Sequence, residues 1–170
     1  MILITIQNFN IYTAKGYEGD LVDSGPRVVQ TGTLVGSDVG FGKALQRDTS
    51  VERGVGIGSA EIGATSFTDV FAISQREYNH EAGTRPSTGN DTVYKETESV
   101  SIIRQGYLYV KITDHAAVAG EALVVDEATG LFVGGTAAAA TVAGESVCNN
   151  VYADEAGIAG DVIKVRIDIA

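Results

Sequence analysis

The sequence predicts an all-β fold, an antiparallel jelly-roll-like sandwich or barrel with an extended N-terminal arm. Apolar and polar side chains alternate along residues 163–169 and again along residues 108–113. A period of two is typical of a strand with one buried face and one exposed face. The chain has 21 glycines and only 2 prolines, which suits many tight turns between short strands. No segment has a comparably clean helical period.

The N-terminal residues alternate as well, with Ile2, Ile4 and Ile6 on one face. This pattern fits an edge strand of the chain's own sheet, and it fits equally an arm that lies on a neighbouring molecule. A length of 170 residues is enough for one domain with a substantial core. We therefore divide the chain into an arm or edge strand, residues 1–14, and a single β domain, residues 15–170.

Within the domain, short strand-like runs are separated by loops rich in glycine or polar residues. The expected strands are residues 27–35, 51–57, 67–73, 93–103, 107–113, 121–125, 131–133, 147–151 and 163–169. Gly106 is expected to turn one long strand back onto the next as a hairpin. Asp-Glu-Ala-Thr-Gly at 126–130 predicts a second hairpin, whose type I turn ends in a left-handed glycine. The polar stretch 75–91 is expected to be an exposed functional loop.

Composition argues against several classes of partner. A net charge of −10 opposes binding to nucleic acid, because phosphate backbones repel an acidic surface. The apolar runs fall well short of the ~20 residues that span a bilayer, and the N-terminus lacks the basic region and cleavage site of a signal peptide. We therefore expect neither nucleic acid nor membrane as a partner. Cys148 is the single cysteine, which excludes an intrachain disulfide and favours a reducing compartment.

No motif in the chain predicts catalysis, a cofactor or a metal. The segment 36–44 resembles a phosphate-binding loop, but it lacks the second glycine and the final Ser or Thr of that motif. The glycines at 54–58 precede no helical segment, so a closely packed strand is expected there instead of a dinucleotide site. His80 and His115 are the only histidines, and a polar loop and a turn explain them. We expect a protein that is not an enzyme.

Several short segments, taken in order along the chain, match a known pattern. They are Gly-Tyr-Glu-Gly-Asp-Leu-Val at 16–22, Val-Gly-Phe-Gly-Lys-Ala-Leu at 39–45, Val-Gly-Ile at 55–57, Gly-Tyr-Leu-Tyr-Val at 106–110 and Val-Ala-Gly-Glu at 118–121. Together they make the chain resemble a family of tailed-bacteriophage capsid cement, or head decoration, proteins. The resemblance runs from about residue 15 to the C-terminus, and the first fourteen residues match none of the family's segments.

The resemblance implies a jelly-roll-like β domain on the outside of an icosahedral phage head. Proteins of this kind bind across the seams between major capsid subunits, as homodimers or homotrimers, and stabilise the shell against the pressure of the genome. The implied partners are the major capsid protein and further copies of the chain itself. The implied location is the exterior of the virion, with assembly in the host cytoplasm. The family implies no catalytic residue and no cofactor.

Residues of three kinds are candidates for contact with the shell. The arm offers apolar side chains that can add a strand to a capsid edge. Loop lysines and arginines are scarce positive charges on an acidic chain, and aromatic side chains beside glycines are effective anchors. The candidates are Ile2, Ile4, Ile6, Lys15, Tyr17, Phe41, Lys43, Arg76 and Arg85. Core packing is the competing role of the aromatic residues, and ordinary surface charge that of the basic ones.

Two other classes of function stay open at this point. One is a β-sandwich module that binds carbohydrate or another ligand on a virion or cell surface, although the chain has no tryptophan. The other is a hydrolase whose site is assembled from distant carboxylates. The scarcity of histidine argues against the hydrolase.

Overall fold

The computed structural model describes residues 16–22, 25–57, 67–77, 93–136 and 143–169, which form eleven strands and no helix. In chain order the strands are β1 Val28–Leu34, β2 Val39–Gly40, β3 Ala44–Asp48, β4 Gly54–Gly56, β5 Ala72–Ser74, β6 Val93–Tyr94, β7 Ser99–Lys111, β8 Ala122–Asp126, β9 Phe132–Gly135, β10 Glu145–Ala153 and β11 Val162–Ile167. The all-β prediction is confirmed. The arm, residues 1–14, lies outside the described residues, so the division of the chain stays a prediction.

The long strand β7 pairs along both of its edges. Its first half pairs with β1 on one edge and with β5 on the other, so that Ile102 lies between Gln30 and Ser74. From β5 the sheet continues through β3 to β4, and β4 pairs with β1 again. These strands therefore close into a five-strand ring, in which β1 and β4 are parallel and the other pairs are antiparallel.

The second half of β7 organises the C-terminal strands. It pairs with β11, and the sheet continues through β10 and β8 to β9. Phe132 of β9 forms a bridge to Ile112, just after β7, so this group of strands also returns to its starting point. Leu21, in the N-terminal segment, forms a bridge to Leu108 of β7. The whole is a barrel-like arrangement, while the jelly-roll connectivity stays a prediction.

Both groups of strands share one hydrophobic core. The largest fully buried side chains are Tyr94, Phe67, Phe132, Leu34, Leu45, Ile73, Ile102, Ile103, Leu108, Ile112, Leu123 and Ile163. Burying one apolar side chain of this size contributes roughly 1.5–3 kcal/mol. Cys148 lies in the same core, and burial raises the pKa of its thiol to about 12. The thiol is therefore protonated and unreactive at neutral pH.

Two local predictions are confirmed. Along β11, buried side chains alternate with more exposed ones from Ile163 to Ile167, as the period of two predicts. The segment 126–130 joins β8 to β9, as the turn sequence predicts. Gly130 has a left-handed φ of 66°, and its N–H donates to the carbonyl of Asp126 at 2.8 Å.

Two other local predictions are wrong. Gly106 is not in a hairpin turn, because β7 runs through it without a break. Glycine is needed there for two other reasons: its φ is 128°, and a Cβ would lie 3.0 Å from the Cβ of Arg27. Of the strand expected at 67–73, only Ala72 and Ile73 lie in a strand, which is β5. The side-chain amide of Asn150 bonds to the N–H and the carbonyl of Val70, at 2.9 and 2.8 Å, which keeps both groups out of a strand ladder.

Replacing Ile103 by alanine should lower the free energy of unfolding by about 3 kcal/mol, because a cavity opens at a fully buried position. The matched control is Val29→Thr, since Val29 pairs with Ile103 across β1 and β7 but is 41% exposed. The control should change stability by less than about 0.5 kcal/mol. Urea denaturation measures both, and equal losses would contradict the burial of Ile103.

Candidate functional site

Three turns share one sequence pattern, an apolar residue followed by any residue, glycine and an acid. They are residues 17–20, 118–121 and 158–161. Their glycines have φ of 82°, 85° and 91°, the left-handed conformation that a type II turn requires at its third residue. We call the three together the turn rim. Their starting points are unevenly spaced along the chain, so they form no repeat of fixed period.

The same hydrogen bonds close each turn. The carbonyl of the first residue accepts from the N–H of the acid at 2.9, 3.1 and 3.0 Å in the three turns. The acid's carboxylate accepts in return from the N–H of the first residue, at 2.8, 3.0 and 3.1 Å. Two bonds across four residues fix the direction of the first side chain without any contribution from the core.

Each turn is also anchored to a neighbouring backbone by a reciprocal pair of hydrogen bonds. The anchoring residues of the three turns, in order, are Tyr109, Ala153 and Ile112. In each case the N–H of the turn's glycine donates to the carbonyl of the anchoring residue, and the carbonyl of the turn's acid accepts from its N–H. The second and third turns are adjacent, because Ala117 and Gly157 exchange two bonds of 2.9 and 3.0 Å. The first turn attaches to Tyr109, near the C-terminal end of β7, and the third attaches to Ile112, just after that strand, so both lie beside the same end of β7.

The first residue of each turn carries an exposed apolar side chain. Tyr17 is 66% exposed, Val118 60% and Ile158 66%. They are half of the six large apolar side chains that are exposed in the described part of the chain. Single exposed apolar residues are common, but the same turn geometry presents one here three times. We therefore take these three side chains as candidate points of contact with a partner protein.

Four of the candidates predicted from sequence come together at the first turn. The guanidinium of Arg76 lies 4.4 Å from the ring centroid of Tyr17 and 5.8 Å from that of Phe41. Arg76 Nε is also 3.8 Å from a carboxylate oxygen of Asp20 in the turn. Lys43 forms an ion pair with Glu18 of the same turn. Arg76 thus holds the inner face of the Tyr17 ring by a cation–π contact.

Phe41 has the core-packing role that the sequence left open. It is 6% exposed, and its ring meets that of Tyr94 edge to face at a centroid distance of 5.5 Å. The hydroxyl of Tyr94 donates to the carbonyl of Gln75 at 2.6 Å, and burial raises the pKa of that hydroxyl. Phe41 therefore supports the Tyr17 and Arg76 cluster from beneath and offers little surface to a partner.

The remaining candidates are not placed by the structure. Ile2, Ile4, Ile6, Lys15 and Arg85 lie outside the described residues. Within residues 16–22, 25–57, 67–77, 93–136 and 143–169, no group of three or more His, Cys, Asp or Glu side chains is arranged to hold a metal ion. No helix in that part of the chain is long and apolar enough to cross a membrane.

Sequence reasoning missed Val118 and Ile158. Val118 lies in one of the segments that carry the resemblance, yet neither it nor Ile158 was a contact candidate. A shared four-residue pattern could have identified them: an apolar residue, alanine, glycine and an acid. It occurs as Val-Ala-Gly-Glu at 118–121 and as Ile-Ala-Gly-Asp at 158–161.

Comparison with known proteins agrees with an interaction surface on a β scaffold. A family model described as structural cement protein (E217 gp24/Pam3 gp6) matches residues 5–168. The chain belongs to this family. A chain of the solved structure "The capsid of Myoviridae Phage XM1" has a similar fold, with a TM-score of 0.62 and 15% identity over 97% of this chain and 98% of that chain. No curated protein matches the chain.

Membership of the cement-protein family confirms the resemblance found in the short segments. It gives this chain a structural, capsid-associated role, which differs in kind from the carbohydrate-binding and hydrolase alternatives. The family match covers almost all of the described residues, including all three turns of the turn rim.

The acid of each turn should contribute measurably to the stability of this cement-family fold. Asp161→Ala removes the acceptor of the Ile158 N–H and should lower the free energy of unfolding by about 1 kcal/mol. Asp161→Asn keeps an oxygen in the same place, and its loss should stay below about 0.5 kcal/mol. Thermal unfolding of the two variants compares them directly; a larger loss for asparagine would contradict the acceptor role.

Proposed function

We propose that this protein binds the outer surface of an icosahedral phage head, across the seams between major capsid subunits, and stabilises the shell. The observation that carries the proposal is the family match over residues 5–168. The turn rim supports it, because its exposed apolar side chains stand on turns that are hydrogen-bonded before any partner arrives. A partner then loses little entropy in ordering them, and more of the contact energy remains as affinity.

Binding through several small contacts at once, whose affinities combine, suits this role. A standard protein interface buries about 1,600 Å² in total, more than three side chains supply, so neighbouring surface must contribute. We propose that the chain acts as a homodimer or homotrimer. After one subunit has bound, the next binds at a high effective concentration, and the summed affinity exceeds that of each contact. The protein's place is then the exterior of the virion, reached after assembly in the host cytoplasm.

Charge sets the choice of partner. At a net charge of −10, the body of the protein is repelled by phosphate backbones and attracted by basic protein surface. Of the basic candidates near the turn rim, Lys43 and Arg76 are engaged with Glu18 and Asp20. We therefore assign them to holding the first turn, and assign contact with the major capsid protein to the exposed apolar side chains.

Removing apolar surface from the turn rim should weaken binding to heads. Tyr17→Ala, and the double variant Val118→Ser with Ile158→Ser, should each bind at least about tenfold more weakly, the typical effect of truncating an interface anchor. Co-sedimentation with heads that lack the protein measures the affinity. The matched control is Val51→Ser, an exposed valine in the β3–β4 connection. Light scattering must show the same oligomer for every variant, and unchanged binding by both rim variants would refute the assignment.

The arm is proposed as a second contact, in which Ile2, Ile4 and Ile6 add a strand to an edge of the capsid protein. Deleting residues 1–10 should then weaken binding to heads while leaving the melting temperature of the domain unchanged. A second variant, in which the three isoleucines are replaced by serine in the full-length chain, should weaken binding to a similar degree. A fall in melting temperature with unchanged binding would instead show that the arm pairs inside its own domain.

A further inference from the structure

One end of the five-strand ring opens into a cavity of about 360 Å³. All five strands of the ring, or the residues directly beside them, contribute to its lining. Within the ring, Ile102 faces the same side as Gln30, which pairs with it, and both line the cavity. We call this opening the ring mouth. Its volume is in the range of small-ligand pockets.

The ring mouth is strongly basic in an acidic protein. Arg47, Arg53 and Arg104 line it, three of the 12 basic residues in the chain. The lining includes no acidic residue among those that the structure describes. Among residues 16–22, 25–57, 67–77, 93–136 and 143–169, no carboxylate forms an ion pair with any of the three. This differs from the turn rim, where Lys43 and Arg76 are both paired with acids.

Two of the arginines are held in place by an aromatic ring. The guanidinium of Arg104 lies 4.3 Å from the ring centroid of Phe71, and that of Arg47 lies 5.9 Å from it. Cation–π contacts of this kind orient a guanidinium while leaving its N–H donors free to bond elsewhere. The Nε–H of Arg104 is buried and has no hydrogen-bond partner in the described structure. A buried donor of this kind needs an acceptor.

The third arginine occupies a backbone position that does not suit it. Arg53 has φ of 57°, in the left-handed region that glycine or asparagine adopts more easily. Its carbonyl accepts from the N–H of Thr33 at 3.0 Å, which any residue can do. The backbone therefore gives no reason for an arginine at this position, whereas the charge of its side chain adds to the ring mouth.

We propose that the ring mouth binds an oxyanion, either the carboxylates of an acidic peptide or a free phosphate-type anion. Guanidinium groups pair with both through two parallel N–H bonds, and three of them around one cavity suit a group with several oxygens. Gln30 and Thr31 supply further polar groups to the lining of the cavity. This site is separate from the proposed contact with the shell, since it draws on the five-strand ring and not on the turn rim.

Calorimetric titration of the full chain tests the proposal, with hexaglutamate in one arm and inorganic phosphate in the other. Hexaglutamine is the uncharged control peptide. We expect saturable binding of at least one anion, weakened as salt screens the charges. Binding of hexaglutamate alone identifies a peptide ligand, and phosphate binding of equal or greater strength identifies a free oxyanion. The absence of binding by both would overturn the proposal.

Variants locate the site. Arg104→Gln and Arg53→Gly should each weaken binding about tenfold, equal to ~1.4 kcal/mol. Arg53→Gly is the sharper test, because glycine suits the φ of that residue and the variant should fold at least as stably. The control is Arg166→Gln, since Arg166 is exposed and lies 3.2 Å from Asp168. An equal loss with the control would overturn the assignment. The same variants should bind heads as tightly as the unmodified protein, because the turn rim is unchanged; a parallel loss of head binding would overturn the separation of the two sites.

Discussion

The register of β7 positions the ring mouth and two of the three turns of the turn rim. Its first half is paired on both edges and places Ile102 and Arg104 at the ring mouth. Its C-terminal end supplies, at Tyr109 and Ile112, the backbone groups that anchor two turns of the turn rim. Because side chains alternate with a period of two, a slip of one residue would send the buried set to the opposite face. The ladders on both edges exclude such a slip, so the two surfaces are fixed relative to one another.

The turn rim shows how a small motif can present apolar groups safely. An exposed apolar side chain on a long free strand edge invites aggregation. Here each one stands at the corner of a four-residue turn whose glycine and acid are already bonded to a neighbouring backbone. The chain can therefore offer Tyr17, Val118 and Ile158 to a partner without placing them on a free strand edge. This separation limits aggregation of the free protein.

Features that neighbouring residues decide could be predicted from the sequence, whereas features that distant residues impose could not. The alternation along β11 and the turn at 126–130 are decided by neighbouring residues, and both were predicted. The turn expected at Gly106 was wrong, because the glycine is required by the approach of Arg27 and not by a reversal of the chain. Tyr17 was found from its glycine neighbours, whereas Val118 and Ile158 have the side chains of core residues. Only the turn that carries them shows that they point outward.

The pairing of β7 also has a consequence for how fast the protein forms. Val28 pairs with Gln105, and Gly106 pairs with Ile167, so the central ladders join the two ends of the domain to its middle, across long stretches of sequence. Such a contact order places folding in roughly the millisecond-to-second range, because the entropy of closing long loops is lost before the ladders form. Neither the ring nor the anchoring of the first and third turns can form before β7 has found its partners. The ring mouth and the two turns anchored beside β7 therefore depend on the same slow step of folding.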